Sequence, residues 1–122
     1  SLWLGEVLRR RLGFTGAVFS DDLSMKGARQ LEGRELSYTE AAITALEAGC
    51  DLVLLCNQSL LDEGRAIDEF LAGMSEALLK GRWTSREASE LRRLDLLPKS
   101  KALKWEQLMV EPRYMQALSL LP

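Results

Sequence analysis

The 122 residues, 47% of them hydrophobic, are enough for one domain with one core. Sixteen basic and eighteen acidic residues leave a formal net charge of -2, so no field extends over the chain to gather nucleic acid or an anionic membrane surface, and neither partner is expected. Two cysteines make no disulfide framework, and without any histidine Cys50 and Cys56 fall short of a zinc site; reduced thiols, no metal, no cofactor and a cytoplasmic location are expected.

The chain opens Ser1-Leu2-Trp3 and enters at once into a helical pattern, as a chain cut from something longer does. Leu4, Val7, Leu8 and Leu12 recur at helical spacing and Gly13 supplies a stop, which predicts a helix over the first dozen residues. Arg9, Arg10 and Arg11 fall at the end of that helix, where positive charge suits its dipole. Gly16-Ala17-Val18-Phe19-Ser20 reads as a short buried strand ending just before Asp21 and Asp22. Ser37 with Glu40 is a capping-box pattern opening a helix through Ala48, stopped at Gly49. Leu52-Val53-Leu54-Leu55 is apolar without alternation, as expected of a parallel strand covered on both faces. Strand, helix and strand thus follow in the order of an α/β crossover unit.

Beyond it the chain is helical. Ile67, Phe70, Leu71, Met74 and Leu78 form one stripe, and Thr84 with Glu87 resembles a second capping box before Ala88, Leu91 and Leu94; core packing is the expected role of all these apolar positions. Pro98 and Pro112 divide the tail into two pieces, with helices expected over 101–109 and 113–121. No apolar run approaches the ~20 residues of a membrane span, and no linker or repeat divides the chain. Two parallel strands do not make a stable sheet by themselves. Either the helices cover a very small sheet, or further strands lie upstream of Ser1, as in a truncated (β/α) barrel.

Functional side chains of barrels and open parallel sheets gather at the C-terminal ends of strands, and Asp21 falls at such a place. A carboxylate with a reference pKa of about 3.9 is ionised at neutral pH and serves as nucleophile, general base or metal ligand. Adjacent strand residues point to opposite sides, so the neighbours divide their roles: Asp21 is the candidate for chemistry, and Asp22 for capping a turn or holding the loop. Spacing alone leaves open that both are loop-forming acids.

The stretch Leu12-Gly13-Phe14-Thr15-Gly16-Ala17-Val18-Phe19-Ser20-Asp21-Asp22-Leu23-Ser24-Met25, with Ala48-Gly49-Cys50-Asp51-Leu52-Val53-Leu54 after it, resembles the family 3 glycoside hydrolases. Within them it is most similar to the bacterial cytoplasmic β-N-acetylhexosaminidases of the NagZ type, which act in cell-wall recycling; the likeness is long and specific around the acidic pair and weak after Arg82. The resemblance implies that this chain is the C-terminal fragment of a TIM-like (β/α) barrel, its last two strands and their helices, followed by a helical tail. Residues 1–122 then form a single unit, with 1–80 the barrel elements and 81–122 the tail. It implies that Asp21 is the catalytic nucleophile at the end of the seventh strand, that residues 48–57 enter and form the eighth, and that the mechanism is retaining. The substrate implied is an N-acetylglucosamine-containing muropeptide or other glycan. The family's acid/base, a His-Asp pair on a mobile loop, has no counterpart in a sequence without histidine. The missing N-terminal barrel part, in the same or another chain, is therefore an implied partner, and the fragment alone is expected to be inactive.

Two readings compete. A receiver-type signalling domain also has an acidic pair after an early strand, and Asp51-Leu52-Val53-Leu54-Leu55 resembles the strand before its phosphoacceptor; Cys56 stands where that aspartate is needed, which leaves only a degenerate, non-phosphorylated module. A non-catalytic assembly fragment that pairs its open strand edges with another chain is the third reading.

Overall fold

The computed structural model describes residues 1–121. Leu2–Arg11 is helical, as the spacing predicts, but wound wider than an α-helix: the Leu12 amide donates to the Val7 carbonyl at 3.0 Å, the five-residue step of a π-helix. Arg9 organises the segment leading into the first strand. Its Nη1 donates to the carbonyls of Phe14, at 3.0 Å, and Gly16, at 2.5 Å, while its Nη2 reaches Asp51. Residues 14–16 are thus held by a side chain and not by a neighbouring strand. The strand accordingly starts late, and β1 is Phe19–Asp22, where residues 16–20 were expected. The acidic pair lies inside the end of the strand and not beyond it.

After β1 comes a single 3-10 turn, Lys26–Arg29, and then a hairpin that the sequence reading did not anticipate. Its strands are β2, Gln30–Leu31, and β3, Arg34–Glu35, paired antiparallel with Gln30 opposite Glu35 and Leu31 opposite Arg34. Glu32 and Gly33 between them have φ of 51° and 79°, the pair of left-handed residues that a two-residue turn needs to match strand twist. Arg29 pins the hairpin down: it pairs with Glu35 at 2.8 Å, donates to the Leu36 carbonyl at 2.9 Å and stacks over the Tyr38 ring at 4.6 Å.

Helix α1 is Tyr38–Ala48, and the expected capping box is formed: the Ser37 hydroxyl accepts from the Glu40 amide and the Glu40 carboxylate accepts from the Ser37 amide. Strand β4, Leu52–Leu54, runs parallel to β1, with Phe19 opposite Leu52 and Asp22 opposite Leu54 and an irregular register between. Leu23, Leu36, Ala41 and Ala42 form the buried core, and Tyr38, Val53, Leu55, Phe70 and Met74 pack around it. Full burial of each leucine contributes roughly 1.5–3 kcal/mol. The other face of the sheet is open, contrary to the expectation that β4 is covered on both sides: Phe19 and Leu54 are both exposed.

Helix α2 is Arg65–Leu79. Of the stripe predicted for it, Phe70 and Met74 do pack on the core, whereas Leu71 and Leu78 are exposed. Small residues cause the difference. Gly73 lies so close to α1 that a Cβ there would overlap the Thr39 hydroxyl, and Ala77 is fully buried, so the contact runs along the Phe70, Gly73, Met74 and Ala77 face.

Helix α3, Glu87–Leu94, begins without the capping box expected of Thr84 and Glu87. Arg86 takes the cap position in extended geometry, its guanidinium donating to the Leu46 carbonyl near the end of α1. This helix turns its polar side inward. Ser89 is buried while Leu91 and Leu94 are exposed, because Arg92 and Arg93 reach the beginning of β4. The tail helices are shorter than predicted: α4 is Trp105–Leu108, and α5 is Pro112–Leu118 with the proline in its first turn. Among the described residues no helix is long and apolar enough to cross a membrane.

Candidate active site

Two groups of polar side chains organise the parallel pair, one at each end. At the leading end Asp51, fully buried, accepts from Arg9 at 2.8 Å, from the Val18 amide at 2.9 Å and from Arg92 through a fork whose shortest arm is 2.7 Å. Burial pulls its pKa upward, but hydrogen bonds from Arg92, Ser89 and the Val18 amide outweigh that and hold the carboxyl well below the usual range. Asp51 therefore joins the N-terminal helix, the start of β1, β4 and α3 in one paired network. The sequence reading placed it on the strand without giving it this role.

At the trailing end the two acids lie on opposite sides of the strand. Along β1 the side chains alternate, with Phe19 and Asp21 on the exposed side and Ser20 and Asp22 on the more buried one. Asp22 Oδ1 accepts from the Ser24 amide at 2.9 Å and the Cys56 amide at 3.0 Å, while Oδ2 accepts from the Ser24 hydroxyl. The Cys56 amide first, and then Ser24, lower its carboxyl below the ordinary value. This is structural work: the carboxylate ties the end of β1 to the end of β4 and closes the turn after the strand.

Asp21 is held differently. Its Oδ1 accepts from the Asp22 amide at 2.8 Å, and among the described residues no donor contacts Oδ2. Its carbonyl accepts from the Ser20 hydroxyl at 2.7 Å, and that hydroxyl accepts in turn from the Leu54 amide at 3.1 Å. The carboxylate is thus held through one oxygen, on an exposed residue of β1. Three cavities, of about 370, 280 and 320 Å³, lie beside Arg82–Arg86, between α1 and α2, and against the N-terminal helix, and Asp21 lines none of them.

Ser20, which the sequence reading did not single out, is brought to this site with Asp21, Asp22 and Cys56; its signal was its place two residues before Asp22, on the same strand face. The Cys56 thiol is pushed up by desolvation and by the charges of Asp22 and Asp21, which favours its neutral form. Among the described residues no three His, Cys, Asp or Glu side chains converge as metal ligands.

Comparison with known proteins adds independent ground. Over 117 residues, 96% of the chain, it is 38% identical to a protein of Glaesserella parasuis named Beta-hexosaminidase, and over 116 residues, 94% of the chain, 40% identical to one of that name from Bordetella pertussis. A shorter stretch of 56 residues is 61% identical to the Beta-hexosaminidase of Methylobacillus flagellatus. The chain spans under a third of the length of these relatives: 29%, 28% and 15% of each. Residues 1–95 match the glycosyl hydrolase family 3 N terminal domain, a TIM-like barrel domain. That match passes Arg82, where the resemblance read from the sequence faded, takes in α3 with its ties to Asp51, and leaves the receiver reading without support. The chain belongs to glycosyl hydrolase family 3.

Proposed function

We propose that this chain supplies the nucleophile of a retaining β-N-acetylhexosaminidase. One observation carries the reading: Asp21 stands at the C-terminal end of a parallel strand, exposed, with Oδ1 accepting from the Asp22 amide and Oδ2 taking no donor among the described residues. In the proposed reaction Oδ2 attacks the anomeric carbon of a terminal N-acetylglucosamine. The bond to the leaving oxygen breaks as an acid delivers a proton to that oxygen, giving a covalent glycosyl-aspartate. Water, deprotonated by the same group, then attacks the anomeric carbon, the ester bond breaks, and Asp21 is regenerated as the carboxylate.

β1 and β4 with α1 and α2 are the last two units of a TIM-like barrel, and 81–122 is a helical tail. The exposed Phe19 and Leu54 support this, since they lie on the face that the other strands of such a barrel would cover. The acid/base and most sugar-binding groups come from the rest of that barrel, in the same or another chain. The substrate is a muropeptide or related glycan, and free Cys50 and Cys56 suit a cytoplasmic role in cell-wall recycling. In the complete protein carrying this sequence, Asp21→Asn should abolish release of a chromogenic leaving group from an N-acetyl-β-glucosaminide, while Asp22→Asn should lose less. Wild-type turnover in the Asp21 variant would remove it from the nucleophile role.

A further inference from the structure

We propose that Ser20 and Asp22 are paired positioning residues that set the attacking oxygen of Asp21. The proposal rests on the reading of Asp21 as nucleophile. Two alternate amides of β4 and its extension, those of Leu54 and Cys56, are taken by side chains of β1, Ser20 Oγ at 3.1 Å and Asp22 Oδ1 at 3.0 Å. The ladder register is irregular over this same interval, between Phe19 and Asp22. Asp21 lies between the two residues that make these ties.

From one side the Ser20 hydroxyl, anchored by the Leu54 amide, donates to the Asp21 carbonyl and fixes the peptide plane that follows Asp21. That plane carries the Asp22 amide, which donates to Asp21 Oδ1. From the other side the Asp22 carboxylate, anchored by the Cys56 amide and by Ser24, keeps the same amide from rotating away. The result is a carboxylate whose Oδ1 is occupied and whose Oδ2 takes no donor among the described residues, an arrangement held without help from substrate. Such order lowers the entropic cost of reaching an attack geometry, and it acts on the chemical step more than on sugar binding.

The test uses the complete protein and a ring-fluorinated N-acetyl-β-glucosaminyl fluoride, which accumulates the glycosyl-enzyme. The maximal labelling rate, the half-saturating concentration and the labelled residue are measured for wild type, Ser20→Ala, Ser20→Thr and Asp22→Asn. The expected result is label on Asp21 throughout, with the maximal rate of Ser20→Ala lowered on the order of ten- to a hundredfold and that of Asp22→Asn lowered by less, its amide oxygen still accepting from Cys56, at unchanged half-saturation. Ser20→Thr, which keeps a hydroxyl, should recover most of the rate. Label on Asp21 at the wild-type maximal rate in both variants would overturn the positioning role while leaving the nucleophile in place. So would a loss carried wholly by half-saturation. Label on a different residue in the wild type would overturn the nucleophile reading itself. Should Asp22→Asn fail to fold, the Ser20→Ala and Ser20→Thr pair decides alone, because that comparison changes only the hydroxyl relay.

Discussion

The carboxylate of Asp22 accepts the Cys56 amide at 3.0 Å, joining the ends of two parallel strands whose residues stand thirty-four apart in sequence. A carboxylate so used is committed to the backbone, which leaves its neighbour Asp21 as the acid on the open face. Truncating Asp22 to alanine should strand two amides and a hydroxyl at the strand tips. A lower unfolding free energy is expected, read from the denaturant midpoint, with Asp22→Asn losing less because its amide oxygen still accepts.

At the opposite end of the sheet Asp51 carries more. Replacing it by alanine removes the partner of two arginines that are themselves mostly buried and leaves the Val18 amide without its acceptor. Breaking a buried pair in this way costs about 3–5 kcal/mol. Amide hydrogen exchange should show faster opening of the N-terminal helix and of α3 together, since both are tied to the same carboxylate. Independent opening of the two would contradict a shared hub.

Gly73 offers a test of sign. Alanine in place of glycine inside a helix is normally stabilising by about 1 kcal/mol. Here the added Cβ would overlap Thr39, so Gly73→Ala should instead destabilise by about 1–3 kcal/mol. Adding Thr39→Ala should recover part of the loss, as a double-mutant cycle of unfolding midpoints would show.

Glu40 provides a pH signature. Hydrogen bonds from the Ser37 amide, then from Arg34 and the Ser37 hydroxyl, lower its pKa from 4.5 to about 2. A depressed carboxylate contributes stability that is fully present above the unfolded value of 4.5 and is lost as pH falls through about 2. Carboxyl carbon shifts of Glu40 should titrate near 2 in the native chain. In Ser37→Ala the midpoint should move upward but stay below 4.5, because the amide bond and Arg34 remain.

What was legible in the sequence was what is local. The capping box of Ser37 and Glu40 spans one helical turn, and the apolar run before Cys56 spans one strand. Asp21 and Asp22 could be assigned different roles because strand alternation is a nearest-neighbour rule. The Asp51 network was not legible, since its partners Arg9, Val18 and Arg92 lie forty-two, thirty-three and forty-one residues away. The same hub caused two further misreadings. Because Arg9 holds the carbonyls of Phe14 and Gly16, β1 begins late; because Arg92 and Arg93 turn inward, the apolar stripe of α3 faces out. The Glu32-Gly33 hairpin escaped notice because its two-residue strands carry no hydrophobic alternation.

The reading of Asp21 is tested most directly by giving the enzyme a substitute nucleophile. In Asp21→Ala of the complete protein, hydrolysis of an activated N-acetyl-β-glucosaminide should vanish, and azide should restore turnover by attacking the anomeric carbon in a single inverting step. The expected product is the α-configured glycosyl azide, identified by its anomeric proton coupling. Continued hydrolysis without azide, or a β-configured azide product, would contradict Asp21 as the nucleophile.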